Sequence, residues 1–123
     1  MKIAVHGLGY IGLPTAALFA QSGLEVVGID ISPDVTEAIR RGVPETREPG
    51  VAKLIERVVA EGWLRAAYKP EPANAHILCL PSPVDSGKRP LLRYIDAALS
   101  SVAPHLREGD LIIVESTVPP GTT

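Results

Sequence analysis

The chain has little cysteine, no excess of basic charge and no long apolar run, and each shortage removes a class of function. A single cysteine, Cys79, leaves no internal disulfide framework and no multi-cysteine metal site, and it fits a reducing compartment such as the cytoplasm. A net charge of −2 supplies no basic field for nucleic acid or for an acidic membrane surface. No apolar run approaches the roughly 20 residues that span a bilayer. The start, Met1 to Gly7, breaks into glycine too soon for a signal peptide. His6, His76 and His105 include no pair at metal-ligand spacing, so no metal site is expected. Repeats, linkers and low-complexity tracts are missing too. What remains is one domain at most in 123 residues, with 46% apolar residues to fill its core.

Short apolar runs alternate with helical patterns. Lys2–His6, Leu24–Ile29, Ala75–Leu80 and Asp110–Val114 read as buried strands, and Leu64–Tyr68 as a weaker one. An Ala- and Leu-rich helix follows Gly12 and runs to about Ser22, before Gly23. Ser32-Pro33-Asp34 opens a second helix with a cap, a first-turn proline and an acid at the positive dipole end. Arg47-Glu48-Pro49-Gly50 reads as a loop. Val51, Leu54, Ile55, Val58 and Val59 then mark one face of a third helix. Asp85–Pro90 reads as a polar loop, and Ile95, Ala98, Leu99, Val102 and Ala103 repeat the helical stripe. Such alternation predicts an α/β doubly wound, mainly parallel sheet of the Rossmann type, with strand order 3-2-1-4-5. The fifth strand has no helix after it to cover it, so residues 1–123 are expected to be the front part of a longer protein.

Gly7-Leu8-Gly9-Tyr10-Ile11-Gly12 matches G-x-G-x-x-G between a strand and a helix. Gly7 permits the tight turn, Gly9 lets backbone approach a pyrophosphate, and Gly12 lets the helix pack close to the strand. The helix start then offers free N–H groups and partial positive charge to phosphates. Taken alone, the pattern is also that of an ordinary turn. The fingerprint further requires an acid about 20 residues on, at the end of the second strand. Asp30 stands there, 21 positions after Gly9. A carboxylate at that point accepts hydrogen bonds from the ribose 2′-OH of NAD and repels the 2′-phosphate of NADP. Asp34 adds a second negative charge or is simply a helix N-terminal acid.

Other residues carry two readings. Ser82 and Thr117 follow the carboxyl ends of strands, where open α/β sheets bind ligands, but Ser and Thr beside proline are also common turn formers. Glu115 has the same position, or serves as a cap. Arg47 and Glu48 face the adenine side or the solvent. Cys79 reads as a buried, inert thiol, and His76 and His105 as surface or edge residues. His6, at the end of a strand, either touches cofactor or does not.

Gly7-Leu8-Gly9-Tyr10-Ile11-Gly12-Leu13-Pro14, Asp30, Glu48-Pro49-Gly50 and Glu115-Ser116-Thr117-Val118-Pro119-Pro120-Gly121 together resemble the UDP-glucose/GDP-mannose dehydrogenase family, in order and over essentially the whole chain. Leu64-Arg65-Ala66 and Leu80-Pro81-Ser82-Pro83 look closest to its UDP-N-acetyl-D-mannosamine branch. The resemblance implies oxidation of a UDP-sugar C6 hydroxyl to a carboxylate with two NAD, through an aldehyde held as a thiohemiacetal. It implies pyrophosphate contacts from Gly7, Gly9, Tyr10, Ile11 and Gly12, and an adenosine ribose on Asp30. Ser82 would lie along the cofactor, and Thr117 near the nicotinamide, where it helps place a catalytic water. It also implies a cytoplasmic homodimer or higher oligomer, without nucleic-acid or membrane partners. Two departures stand out. Asp34 replaces a basic residue that many relatives carry after the ribose-binding Asp. The family's nucleophilic Cys, with its Lys and Asn, has no counterpart here, and Cys79 is not that cysteine. By itself the chain is therefore expected to bind cofactor and catalyse nothing, its helical and UDP-sugar-binding domains being absent. Two rivals remain: a 3-hydroxyacid type of Rossmann dehydrogenase, against which the ESTVPPG segment argues, and a stand-alone NAD-binding module.

Overall fold

The computed structural model describes residues 1–9, 11–43, 48–79 and 89–115, and the side chains of 89–95 lie outside that description. Five strands, β1 (Lys2–His6), β2 (Glu25–Ile29), β3 (Leu64–Ala67), β4 (Ala75–Leu78) and β5 (Leu111–Val114), form one parallel sheet in the order β3-β2-β1-β4-β5. This is the 3-2-1-4-5 order expected of a Rossmann-type sheet. The order reverses between β1 and β4, and the carboxyl edge at that point is where such sheets take ligands.

Helices α1 (Gly12–Gln21), α2 (Pro33–Arg40) and α3 (Pro49–Ala60) link the first three strands, and α4 (Arg89–Val102) links β4 to β5. Right-handed crossovers set α4 on the opposite face from the others. Strand alternation sorts the core accordingly. Ile3, Val5, Val26, Leu64, Ala66 and Ile77 pack with Ala16, Ala17 and Ala20 of α1 and Ile55 and Val58 of α3. Ala4, Val27, Ile29 and Ala73 form a second buried cluster. The run of alanines in α1 is what lets that helix lie close to the sheet.

Two helix starts differ from the sequence reading. Pro49 and Gly50 are not loop but the first turn of α3, because proline at the start of a helix loses no hydrogen bond. Arg89 and Pro90 likewise belong to the first turn of α4. Ser32 caps α2 as expected, its Oγ accepting from Val35 N–H at 3.5 Å.

No helix joins β3 to β4. The connecting loop is held at the sheet's amino edge by Glu71, which pairs with both Lys2 and Arg65. The Arg65 hydrogen bond, aided by Lys2, holds the Glu71 carboxyl down at about 2. Backbone pairing of Asn74 with Lys2 then starts β4 beside β1.

Candidate cofactor site

The chain turns as soon as β1 ends. Gly7 adopts φ +93°, a conformation that side chains disfavour, and its N–H donates to Ile29 O at 2.8 Å. Leu8 folds inward and is buried over Gly28 of β2. A Cβ on Gly28 would stand 2.9 Å from Leu8 Cδ2, so the glycine inside that strand makes room for the turn.

Asp30 fastens the arrangement. Its Oδ2 accepts from Leu8 N–H and its Oδ1 from Ser32 N–H, both at 2.9 Å. The carboxylate thus clamps the glycine turn to the end of β2. Each oxygen keeps a further lone pair for a donor from outside.

The other two glycines of the motif face different surroundings. A Cβ on Gly12 would lie 1.7 Å from Gly7 O and 3.1 Å from Cys79 Cβ, so Gly12 is demanded by the protein itself. A Cβ on Gly9 would meet nothing within 4 Å. Its lack of a side chain serves no contact among the described residues and leaves the turn open from outside. Ile11, 55% exposed, offers no side-chain cap to α1, and the first turn of that helix holds no acid. Leu13 N–H is taken by Gly9 O and Pro14 has none, so the helix start presents the Gly12 N–H, without a partner among the described residues, and partial positive charge beside an open backbone, a cradle suited to a pyrophosphate.

Across the switch point, Cys79 and Glu115 follow β4 and β5. Glu115 Oε2 accepts from the Thr15 hydroxyl of α1 at 3.3 Å and from the Cys79 thiol at 3.4 Å. Burial first, then Glu115, pushes the thiol up to about 12. Cys79 is therefore a protonated, packed donor and not a nucleophile.

The sequence reading of His76 as a surface or edge residue is corrected. His76 is fully buried, since it points to the same sheet face as Ala4 and Ile112, its register partners in β1 and β5. It lies diagonally across from His6, with His6 Nε2 and His76 Nδ1 3.1 Å apart and sharing one proton. His76 Nε2 has no partner among the described residues. Burial, and secondarily His76, lowers His6 to about 4. His6 thus stays neutral beneath the turn, and its ring belongs to the core.

This pair makes folding sensitive to acid. The unfolded chain takes up a proton on His6 near pH 6.5, whereas the folded chain resists it down to about 4. Stability is therefore full above pH 6.5 and declines as pH falls through that window, by about 3 kcal/mol in total from this group. In an NMR titration, the His6 ring carbons are expected to shift near pH 4. A midpoint near 6.5 would contradict the buried pairing.

Tyr10, Ser82, Thr117 and Arg47 lie outside the described residues. Of the expected site residues that are described, Gly7, Gly9, Ile11, Gly12 and Asp30 converge on one turn. A separate groove of about 420 Å³ lies at the opposite, amino edge, lined by Gln21, Gly23, Arg57, Glu61 and Trp63. The carboxyl ends of α1 and α3 reach it, which disfavours phosphates there.

The NAD-binding domain of the UDP-glucose/GDP-mannose dehydrogenase family matches this chain over residues 1–123. The chain belongs to that family. Its cofactor is accordingly NAD. An NDP-N-acetyl-D-galactosaminuronic acid dehydrogenase of Ralstonia nicotianae is 45% identical over 98% of this chain and 29% of its own length. A UDP-N-acetyl-D-mannosamine dehydrogenase of Campylobacter jejuni is 44% identical over 99% of this chain and 30% of its own. Among solved structures, the UDP-D-ManNAc dehydrogenase of Pyrococcus horikoshii superposes with a TM-score of 0.92 at 44% identity, over 100% of this chain and 30% of that one. The chain thus spans about 30% of the length of these relatives.

Three features of the site escaped the sequence reading. Gly28 inside a strand signalled a close approach, but only the fold shows that Leu8 makes it. The His pair and the Thr15–Glu115–Cys79 junction join residues far apart in sequence, and no local pattern announces them.

Proposed function

We propose that residues 1–123 are the NAD-binding domain of a nucleotide-sugar 6-dehydrogenase whose helical and UDP-sugar-binding domains lie elsewhere in a longer chain. The observation that carries this reading is the open backbone at Gly9 over the uncapped start of α1, with Asp30 clamped beside it. Gly7, Gly9, Tyr10, Ile11 and Gly12 hold the pyrophosphate, and Asp30 accepts from the adenosine ribose. Ser82 lies along the cofactor, and Thr117 orients a catalytic water near the nicotinamide. The chemistry NAD supplies is acceptance of a hydride from the sugar carbon, and conversion of CH2OH to carboxylate needs two such transfers. The domain's own residues bind and orient the cofactor, and the nucleophile and the sugar site belong to the rest of the protein. This domain alone binds NAD without turnover. The names of the relatives favour a UDP-N-acetylhexosamine, UDP-N-acetyl-D-mannosamine first, over UDP-glucose. The intact protein works in the cytoplasm as a homodimer or larger assembly.

The test is NADH formation by the intact protein with a panel of UDP-sugars. About two NADH per sugar, for one member of the panel, is expected. NAD binding without NADH from any sugar would favour another Rossmann dehydrogenase or a stand-alone binding module.

Asp30→Ala is expected to weaken NAD about ten-fold or more, the worth of hydrogen bonds to a charged acceptor, and to narrow the preference over NADP. The same change frees Leu8 N–H and Ser32 N–H, so stability falls as well. Competitive titration reads selectivity apart from stability. An unchanged NAD/NADP ratio would refute the role given to Asp30.

A further inference from the structure

We propose that Glu115 makes this site favour oxidised over reduced cofactor, an inference that rests on the NAD-binding reading above. The sheet order sets Asp30 at the end of β2 and Glu115 after β5, on opposite sides of the glycine turn that follows β1. A dinucleotide with its adenosine ribose on Asp30 and its pyrophosphate on the turn has its other half over β4 and β5. That half carries the one group whose charge changes in the reaction. The nicotinamide ring bears a positive charge in NAD and none in NADH.

Glu115 supplies a fixed negative charge on that side. Its Oε2 is held by the Thr15 hydroxyl and the Cys79 thiol, at 3.3 and 3.4 Å, which ties the carboxylate to α1 and β4 at once. Neither donor is basic, and no Lys or Arg pairs with Glu115 among the described residues. Among the described residues the charge is therefore positioned without being neutralised. Its field already acts on its neighbour, since Glu115 adds to burial in keeping the Cys79 thiol protonated. Attraction to the oxidised ring alone raises affinity for NAD and leaves NADH easier to release. An enzyme that uses two NAD in succession needs that exchange.

The experiment measures Kd for NAD and for NADH in the intact protein and three variants. Glu115→Gln keeps an acceptor oxygen for Thr15 and Cys79 and removes the charge. The ratio Kd(NADH)/Kd(NAD) is expected to fall about five-fold, as for a partly screened pair of unit charges. Glu115→Asp, which retains the charge, and Thr15→Val, which removes only a hydrogen bond, are expected to keep the wild-type ratio. Raising ionic strength should lower the wild-type ratio without any substitution, because the pyrophosphate's own salt dependence is common to both forms and cancels. A ratio unchanged in Glu115→Gln and insensitive to salt overturns the proposal while leaving the cofactor site intact. A shift in Thr15→Val as large as in Glu115→Gln overturns it too, since geometry would then be the cause. Wild-type protein that binds neither form overturns the NAD reading itself.

Discussion

Gly9→Val is expected to abolish NAD binding, with Kd raised at least about 100-fold, or about 3 kcal/mol, while the protein folds as before. The backbone at Gly9 lies outside the positive-φ region, so a side chain there brings no conformational strain. A Cβ at this position also meets no protein atom within 4 Å. The space the valine fills is the space through which a pyrophosphate reaches the turn. Calorimetric titration with NAD, alongside a denaturant unfolding curve, separates the two effects. Wild-type affinity in the variant would sink the assignment of the turn, and loss of folding would show that Gly9 serves the protein and not the ligand.

Gly12→Ala, three residues further on, is expected to fail for the opposite reason. One methyl group placed 1.7 Å from Gly7 O and 3.1 Å from Cys79 Cβ cannot be relieved by rotating a side chain, because the nearer atom is backbone. Either α1 moves away from the turn or the turn opens, and both break the hydrogen bonds from Gly7 to Ile29 and from Leu8 to Asp30. A cost of about 3 kcal/mol or more follows, at the upper end for overpacking. Urea unfolding of the variant reads it directly. Stability within about 0.5 kcal/mol of wild type would refute the close packing, since that is the scatter of neutral surface changes. One motif thus contains a glycine kept for the ligand and a glycine kept for the fold, and stability tells them apart.

The sheet order and the turn were legible because their signals are local. Strand runs bounded by glycine, a helix opened by Ser32-Pro33-Asp34, and an acid at a fixed distance from the glycine turn can be read from a few neighbours at a time. The start of α3 at Pro49 is hidden in the sequence because proline and glycine in succession look like a loop, and the apolar stripe begins only at Val51. His76 was misread because a lone histidine between Ala75 and Ile77 gives no sign of what stands across from it. Its burial depends on pairing with β1 and β5, and its one polar partner among the described residues, His6, is 70 residues away. Asp30 was recognised as a ligand for ribose, but not as the clamp on Leu8 and Ser32. That second task needs the spatial meeting of the β1 turn with the end of β2, which no spacing encodes. The Thr15–Glu115–Cys79 junction escaped for the same reason, as it joins α1, β4 and β5.

NAD is proposed to lie along the carboxyl edge of the sheet, on the glycine turn and Asp30. Hydrogen–deuterium exchange of the intact protein, with and without saturating NAD, tests it most directly. Slowed exchange is expected in the peptides covering residues 7–13 and 30–32, with no change around Gln21–Gly23 and Trp63 at the opposite edge. Protection confined to that opposite groove, or none at the turn under saturating NAD, would contradict it.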